Sequence, residues 1–298
     1  MLTGMHVAFL GGDARQLEVI EKFSEMDASI TLIGFDNLEP KYGGVKYAEL
    51  KEDILKTIDV LILHAVVTNN TGKIDSIFSS KELLLTKNHL KSLPKHAKIY
   101  TGYSKPYFKN LCQENKIELI ELFERDDVAI YNSIPTAEGA IMMAIENTDI
   151  TIHGSNCIVL GLGRTGITLA RTLKGVGAHV KIGVRKHEHF ARASEMQLNP
   201  FYLNNLTNEV TDIDLLFNTI PTMIVTAQVI AHIPHRAVII DLASKPGGTD
   251  FRFAEKRGIK AMIAPGLPGI VAPKTAGQII AKSLIQLISE DSSEWGND

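Results

Sequence analysis

The sequence predicts an α/β protein built from two doubly wound, Rossmann-like domains with parallel sheets and a substrate cleft between them. Three observations carry this reading. Short apolar runs alternate with helix-like stretches almost from end to end, as parallel βαβ units require. The rhythm breaks once, near the middle, and restarts. The restart opens on a strand, a glycine-rich turn and an amphipathic helix. A chain of 298 residues has room for two ordinary domains.

In the first half, apolar runs at 7–10, 30–33, 60–63, 99–100 and 118–122 read as strands, with helix candidates at 14–25 and 105–115. The join falls at 131–147. Pro135 restricts Ile134 to extended geometry, so a helix is expected to start near Pro135. Strands resume at 157–160, 179–184, 215–218, 238–242 and 260–263. A last helix begins near Lys274, with Ala276, Ile279, Ile280, Leu284, Leu287 and Ile288 at three- and four-residue spacing. The resulting division is a substrate or partner domain over 1–130, a linking helix over 131–149 and a nucleotide domain over 150–273. Helix 274–290 either packs back on the first domain or seals the second, and a frayed polar tail is expected after Glu290.

Composition removes several function classes. With 45% apolar and 22% charged residues the chain can bury cores and is not disordered. Thirty-one basic against 34 acidic residues, a net charge of −3, argue against nucleic-acid binding or a polybasic membrane surface. No secretory pattern and no apolar run of spanning length is present, so a soluble cytoplasmic protein is expected. Cys112 and Cys157 are too few for a disulfide framework, and His187 with His189 lacks a third metal ligand, so no metal site is expected. Neither a nucleophile elbow nor a Walker loop occurs.

The strongest local signal is Gly161-Leu162-Gly163-Arg164-Thr165-Gly166 between a strand and an amphipathic helix. Gly161 permits the tight turn, Gly163 admits a pyrophosphate to the backbone, and Gly166 lets helix and strand pack closely. The helix N-terminus, with Arg164 and Thr165 in its first turn, offers amides to the phosphates. About 20 residues on, where NAD sites place an acid, the chain has Arg185-Lys186. An arginine fork and a lysine suit a 2′-phosphate, so NADP is the expected cofactor. Asn218, Thr219 and Pro221 close a strand predicted to lie beside the cofactor, and the turn at 241–248 flanks the same rim.

On the substrate side, Gly11-Gly12-Asp13-Ala14-Arg15-Gln16 follows the first strand without Gly-x-Gly spacing. Arg15 with the helix amides can hold a carboxylate, while Asp13 reads as a helix cap. Arg125 is a second carboxylate ligand, and Asp126 or Asp127 can move a proton; a surface charge cluster explains these residues about as well. The loop at 264–277 carries Pro265, Pro268 and Pro273 and delivers Lys274 and Thr275 to the last helix. His64, alone among Leu61, Ile62, Leu63 and Ala65, reads as structural.

Taken together, the motifs at 11–16, 122–127, 131–135, 161–166, 241–251 and 264–277 resemble those of the dipicolinate synthase A-subunit family of spore-forming bacteria, over nearly the whole chain. The resemblance implies a sporulation enzyme that uses NADP and works with a flavoprotein-like B subunit. It implies oxidation of a dihydrodipicolinate-type intermediate, from a branch of lysine biosynthesis, to pyridine-2,6-dicarboxylate. A small dicarboxylate calls for two cationic anchors, for which Arg15, Arg125 and Lys274 with Thr275 are the candidates. The proton acceptor stays open among Asp126, Asp127, Glu138 and water, with Asp126 and Glu138 the candidate catalytic residues. Two other readings fit the cofactor loop: another NADP-linked dehydrogenase of a 2-hydroxy or 2-amino acid, and a non-catalytic NADP-sensing subunit. Self-association is left open.

Overall fold

The computed structural model describes residues 2–39, 42–67, 71–264 and 266–295. Its contacts divide the chain into two units, Met1–Val128 with Pro273–Asp298, and Ala129–Ala272.

The first unit carries a six-stranded parallel sheet: β1 (His6–Leu10), β2 (Ser29–Ile33), β3 (Lys46–Ala48), β4 (Val60–Leu63), β5 (Lys98–Thr101) and β6 (Glu118–Glu121). The order across the sheet is β6-β5-β4-β1-β2-β3. Strands covered on both faces must be apolar throughout, and Val60–Leu63 is buried at every position. Two clusters fill the two faces: Phe9, Val19, Ile20 and Phe23 belong to one, and Leu10, Leu61, Ile99 and Phe108 to the other.

The second unit repeats the plan with β7 (Asn156–Leu160), β8 (His179–Val184), β9 (Asn199–Tyr202), β10 (Leu215–Asn218), β11 (Val238–Asp241) and β12 (Lys260–Ile263), in the order β9-β8-β7-β10-β11-β12. In each sheet the strand order reverses beside the first strand, between β1 and β4 and between β7 and β10. Such switch points are where open α/β sheets bind ligands.

Two strands of these six-stranded sheets escape the sequence pattern, the edge strands β3 and β9. Each is short, half solvated and without an apolar run, and Pro200 within β9 is tolerated because an edge strand has one unpaired side.

Among the described residues six helices have eight residues or more: α1 (Ala14–Ser24), α2 (Pro106–Glu114), α3 (Asp126–Asn147), α4 (Arg164–Gly175), α5 (His187–Glu195) and α6 (Pro273–Trp295). Two expectations need correction. The first concerns α3, which starts at Asp126 rather than near Pro135 and carries that proline inside it. The ring deletes one backbone donor. The missing donor is the one that would reach the Tyr131 carbonyl, and hydroxyls bond the carbonyls on either side of it: Ser133 Oγ donates to Ile130 O at 2.6 Å and Thr136 Oγ1 to Asn132 O at 2.7 Å.

The second correction concerns the end of the chain. Helix α6 continues past Glu290 to Trp295. Asp291 accepts the Tyr100 hydroxyl at 2.7 Å and pairs with Lys98 Nζ at 3.0 Å, which ties this turn to β5. In the first unit α6 lies on α1, burying Ile280, Ala281, Leu284 and Ile288 beside Val19, Ile20 and Phe23. The approach is so close that a Cβ on Gly277 would sit 2.4 Å from the Arg15 carbonyl oxygen.

Candidate functional site

At the β7–β10 switch point the turn after β7 is held open by local geometry. Gly161 has φ +98°, a conformation that L side chains rarely adopt, and its N–H donates to Gly183 O at 2.9 Å. A Cβ on Gly166 would lie 2.1 Å from the Gly161 carbonyl oxygen, so glycine there sets the helix–turn contact. A Cβ on Gly163 would meet nothing within 4 Å, which leaves that flank of the backbone open to a ligand. Gly163 is the N-cap of α4 and offers no side-chain acceptor, so no cap consumes the first-turn amides. Arg164 is exposed and Thr165 half-buried at this end.

A cavity of about 540 Å3 lies over the turn, lined in part by Gly161, Gly163, Arg185, Lys186, Thr219 and Pro221. Arg185 and Lys186 are exposed after β8. Lys186 faces Glu188 at 3.4 Å, whereas Arg185 meets no carboxylate among the described residues. Open space beside Gly163, uncapped helix amides and an uncommitted guanidinium on one cavity fit a dinucleotide.

The far wall is built by β10 and β11. Thr219 Oγ1 donates to Leu160 O at 2.7 Å, which fastens this wall to β7. Asn218, expected beside the cofactor, is turned inward. It is fully buried; its Nδ2 donates to Ile220 O and Asp241 Oδ1 at 3.0 and 3.1 Å, and its Oδ1 accepts Ile220 N–H at 3.0 Å. Its polar atoms are spent on the turn, so Asn218 shapes the wall from inside. Asp241, also fully buried, accepts from Ala243 N at 3.0 Å and Gly248 N at 2.8 Å and so folds the 242–248 loop around itself.

The first unit carries a second cluster at its own switch point. Leu10 and Leu63 are register partners on β1 and β4, so the residues that follow each strand emerge side by side. Asp13 caps α1 by accepting Arg15 N–H at 3.0 Å. Arg15 clamps the same carboxylate through Nε at 3.0 and 3.1 Å and through Nη2 at 2.7 Å. His64 Nε2 lies 3.0 Å from Asp13 Oδ2. Burial pushes the Asp13 carboxyl upward, but hydrogen bonds from His64 and Arg15 outweigh it and hold the group well below the carboxylate range. Gln16 is 4% exposed, its Nε2 has no hydrogen-bond partner, and its side chain lies over Gly12. Sequence reading took Asp13 as a cap and His64 as structural. The usable signal was that His64 directly follows one central strand and Asp13 follows the other after two glycines.

The other expected residues are less embedded. Arg125 forms a two-bond fork with Asp127, at 3.0 Å for each bond. Asp126 is exposed at the start of α3, and Glu138, further along it, is exposed without a hydrogen bond or ion pair among the described residues. Lys274 and Thr275 are exposed in the first turn of α6; Pro265 lies outside the described residues. A cavity of about 590 Å3 over β2 and β3 is lined in part by Phe35, Asp36, Tyr47 and Lys81. There Asp36 is taken up by Ser80, and Lys81 by Glu49. Among the described residues no group of three or more histidine, cysteine or acidic side chains could hold a metal ion, and no helix is long and apolar enough to cross a membrane.

Comparison with known proteins decides the family. Residues 6–123 match the model of the dipicolinate synthase A-subunit N-terminal domain. The dipicolinate synthase A-subunit of Bacillus subtilis (strain 168) is 51% identical over 296 residues, which cover 99% of this chain and all of that one. The chain belongs to the dipicolinate synthase A-subunit family. The crystal structure of the A-subunit from Bacillus halodurans agrees, at 52% identity and TM-score 0.94 over 96% of this chain and 98% of that one. Within this family member, residues 128–295 match the alanine dehydrogenase/PNT C-terminal domain model. A transhydrogenase from Sinorhizobium meliloti shares the fold at 13% identity, with TM-score 0.70 over 95% of this chain and 93% of that one. The expected two-domain parallel α/β fold class is therefore observed, and the dehydrogenase-type domain implies a nicotinamide cofactor.

Proposed function

We propose that this A-subunit family member oxidises a dihydrodipicolinate-type substrate to pyridine-2,6-dicarboxylate with NADP. In this reading it acts in the cytoplasm of a sporulating mother cell together with a flavoprotein-like B subunit. The observation that carries the cofactor assignment is Arg185, without a carboxylate partner among the described residues, on the cavity that also exposes Gly163. A bound NADP would supply the hydride acceptor.

The chain's own residues bind and orient. Gly161, Gly163, Arg164, Thr165 and Gly166 present the turn and first helical amides to the pyrophosphate. Arg185 and Lys186 take the 2′-phosphate, and Thr219 and Pro221 wall the nicotinamide side, with Asn218 holding that wall in shape. Arg15, Arg125, Lys274 and Thr275 supply positive charge and hydrogen bonds for the two substrate carboxylates. Arg15 keeps its Nη1 donors uncommitted among the described residues, so it can bind a carboxylate without releasing Asp13. Loss of a hydride and a neighbouring proton makes the ring aromatic, so the protein's task is alignment and proton removal.

Calorimetry with NADP and NAD on the wild type and Arg185→Ala tests the assignment. A fork on a phosphate contributes about 1.5–3 kcal/mol, so the wild type should prefer NADP at least about tenfold and the variant should lose that preference. Equal binding of both cofactors by the wild type would refute it. Dihydrodipicolinate-dependent NADPH formation, with and without the B subunit, tests the reaction.

A further inference from the structure

We propose that His189, on the first turn of α5, joins Arg185 and Lys186 as a pH-dependent ligand of the cofactor 2′-phosphate and so sets the preference for NADP over NAD; this rests on the NADP reading above. Among the described residues that line the cavity over the Gly161 turn, the ionisable side chains are Arg185, Lys186 and His189, all of them basic. A phosphate monoester carries a charge of about −1.5 to −2 near neutral pH and three strong acceptor oxygens. A rim of basic nitrogens at the end of β8 suits that group and offers a neutral ribose hydroxyl nothing comparable. His189 follows Lys186 by three positions, so the two are neighbours at one end of α5.

Packing accounts for the neighbouring imidazole but not for this one. His187 Nδ1 lies 2.7 Å from the Tyr202 hydroxyl, and its ring meets the Tyr202 ring edge-on with centroids 5.4 Å apart. Phe190 stacks on the same tyrosine at 4.7 Å. His189 stands between them in sequence, yet it is half-buried on the cavity, and its ring nitrogens make no hydrogen bond among the described residues. The charged groups around it are accounted for. Glu188, exposed beside it, faces Lys186 at 3.4 Å and interacts electrostatically with His189. Arg192, one turn on, pairs with Glu195 at 3.0 Å. The strands under α5 contribute the Tyr202 hydroxyl from β9 and, from β8, Lys181, which pairs with Glu209 at 2.9 Å. Arginine and lysine stay charged throughout the neutral range, whereas an imidazole changes charge within it. A bound phosphate favours the imidazolium, so NADP binding takes up a proton there and NAD binding does not.

The test is calorimetry on the full chain with NADP and NAD at about pH 6.5 and about pH 8.5. The wild-type preference for NADP should fall by about fivefold between them, because the imidazolium contact is lost as the ring deprotonates. Proton uptake should appear as a heat of NADP binding that varies with the ionisation enthalpy of the buffer. His189→Gln should bind NAD as the wild type does, which shows the cavity intact, and should lose the fall in preference with pH. His189→Lys should keep a preference that is the same at both pH values. In the chain labelled at its ten histidines, adenosine 2′,5′-bisphosphate should move the His189 imidazole resonances, identified by their loss in His189→Gln, and 5′-AMP should leave them in place. A wild type that prefers NADP equally at both pH values overturns the proposal and leaves the Arg185 assignment standing, as does a His189→Gln that keeps the wild-type pH dependence. The wild-type comparison needs no variant to fold. A wild type that binds NADP and NAD equally at both pH values defeats the NADP reading itself, and this site with it.

Discussion

Replacing Asp241 by alanine should unfold the 242–248 loop of the second unit at a calculable cost. The carboxylate is fully buried and accepts Ala243 N–H at 3.0 Å, Gly248 N–H at 2.8 Å and Asn218 Nδ2 at 3.1 Å. Asn218 keeps its bond to Ile220 O, so the variant orphans two buried backbone donors. Each orphan costs about 1–3 kcal/mol, or roughly 2–6 kcal/mol for the pair. Relief of the buried charge offsets part of that, which leaves about 2–4 kcal/mol. A domain has only about 5–15 kcal/mol in all. With a urea slope of about 2 kcal/mol per molar, the midpoint of the second unit should fall by about 1–2 M. Hydrogen exchange read by peptide separates the units: amides at 242–248 and 218–221 should lose protection while those of β1 and β4 keep theirs. Asp241→Asn retains one acceptor oxygen and should lose about half as much. A midpoint shift below about 0.3 M in Asp241→Ala, with the 242–248 amides still protected, would refute the account of this loop.

Two further predictions concern ionisation. The Asp13 carboxyl is held below its ordinary 3.8, so its contribution to stability is present above that value and is lost as pH falls through the depressed one. Asp13→Asn should therefore be less stable than the wild type near neutral pH, and the gap should narrow below about pH 4; a gap independent of pH in urea melts would refute this. Cys112 and Cys157 are buried, and burial pushes their thiols up to about 12 and about 11. Neither should react with a thiol reagent near pH 8 until denaturant is added, and labelling of the native protein at the rate of a free cysteine would contradict their burial.

What the sequence by itself determined is what a short window encodes. Val60–Leu63 and Leu215–Asn218 are buried strands because continuous apolar runs suit only a sheet covered on both faces. The spacing of Gly161, Gly163 and Gly166 announces their turn, where Gly161 meets the φ demand, Gly166 the close approach, and Gly163 leaves the backbone open. The family was legible for the same reason, since its motifs are contiguous. Short edge strands such as Lys46–Ala48 and Asn199–Tyr202 lack that local signal. Helix α3 escaped it too: Pro135 reads as a start, and only the helix itself reveals the hydroxyls of Ser133 and Thr136 on neighbouring carbonyls.

Tertiary structure alone decided which residues meet. Asn218 and Asp241 are 23 positions apart and bond because β10 and β11 are neighbours, which turns an expected ligand contact into an internal brace. Asp13 and His64 are 51 apart and pair because β4 returns beside β1. Arg15 and Arg125 look alike in sequence, yet Arg15 shares its carboxylate with a histidine at a switch point and Arg125 folds onto Asp127 two residues away. Strand order is a property of the whole chain, set by which apolar faces can be buried together, so no local window encodes it.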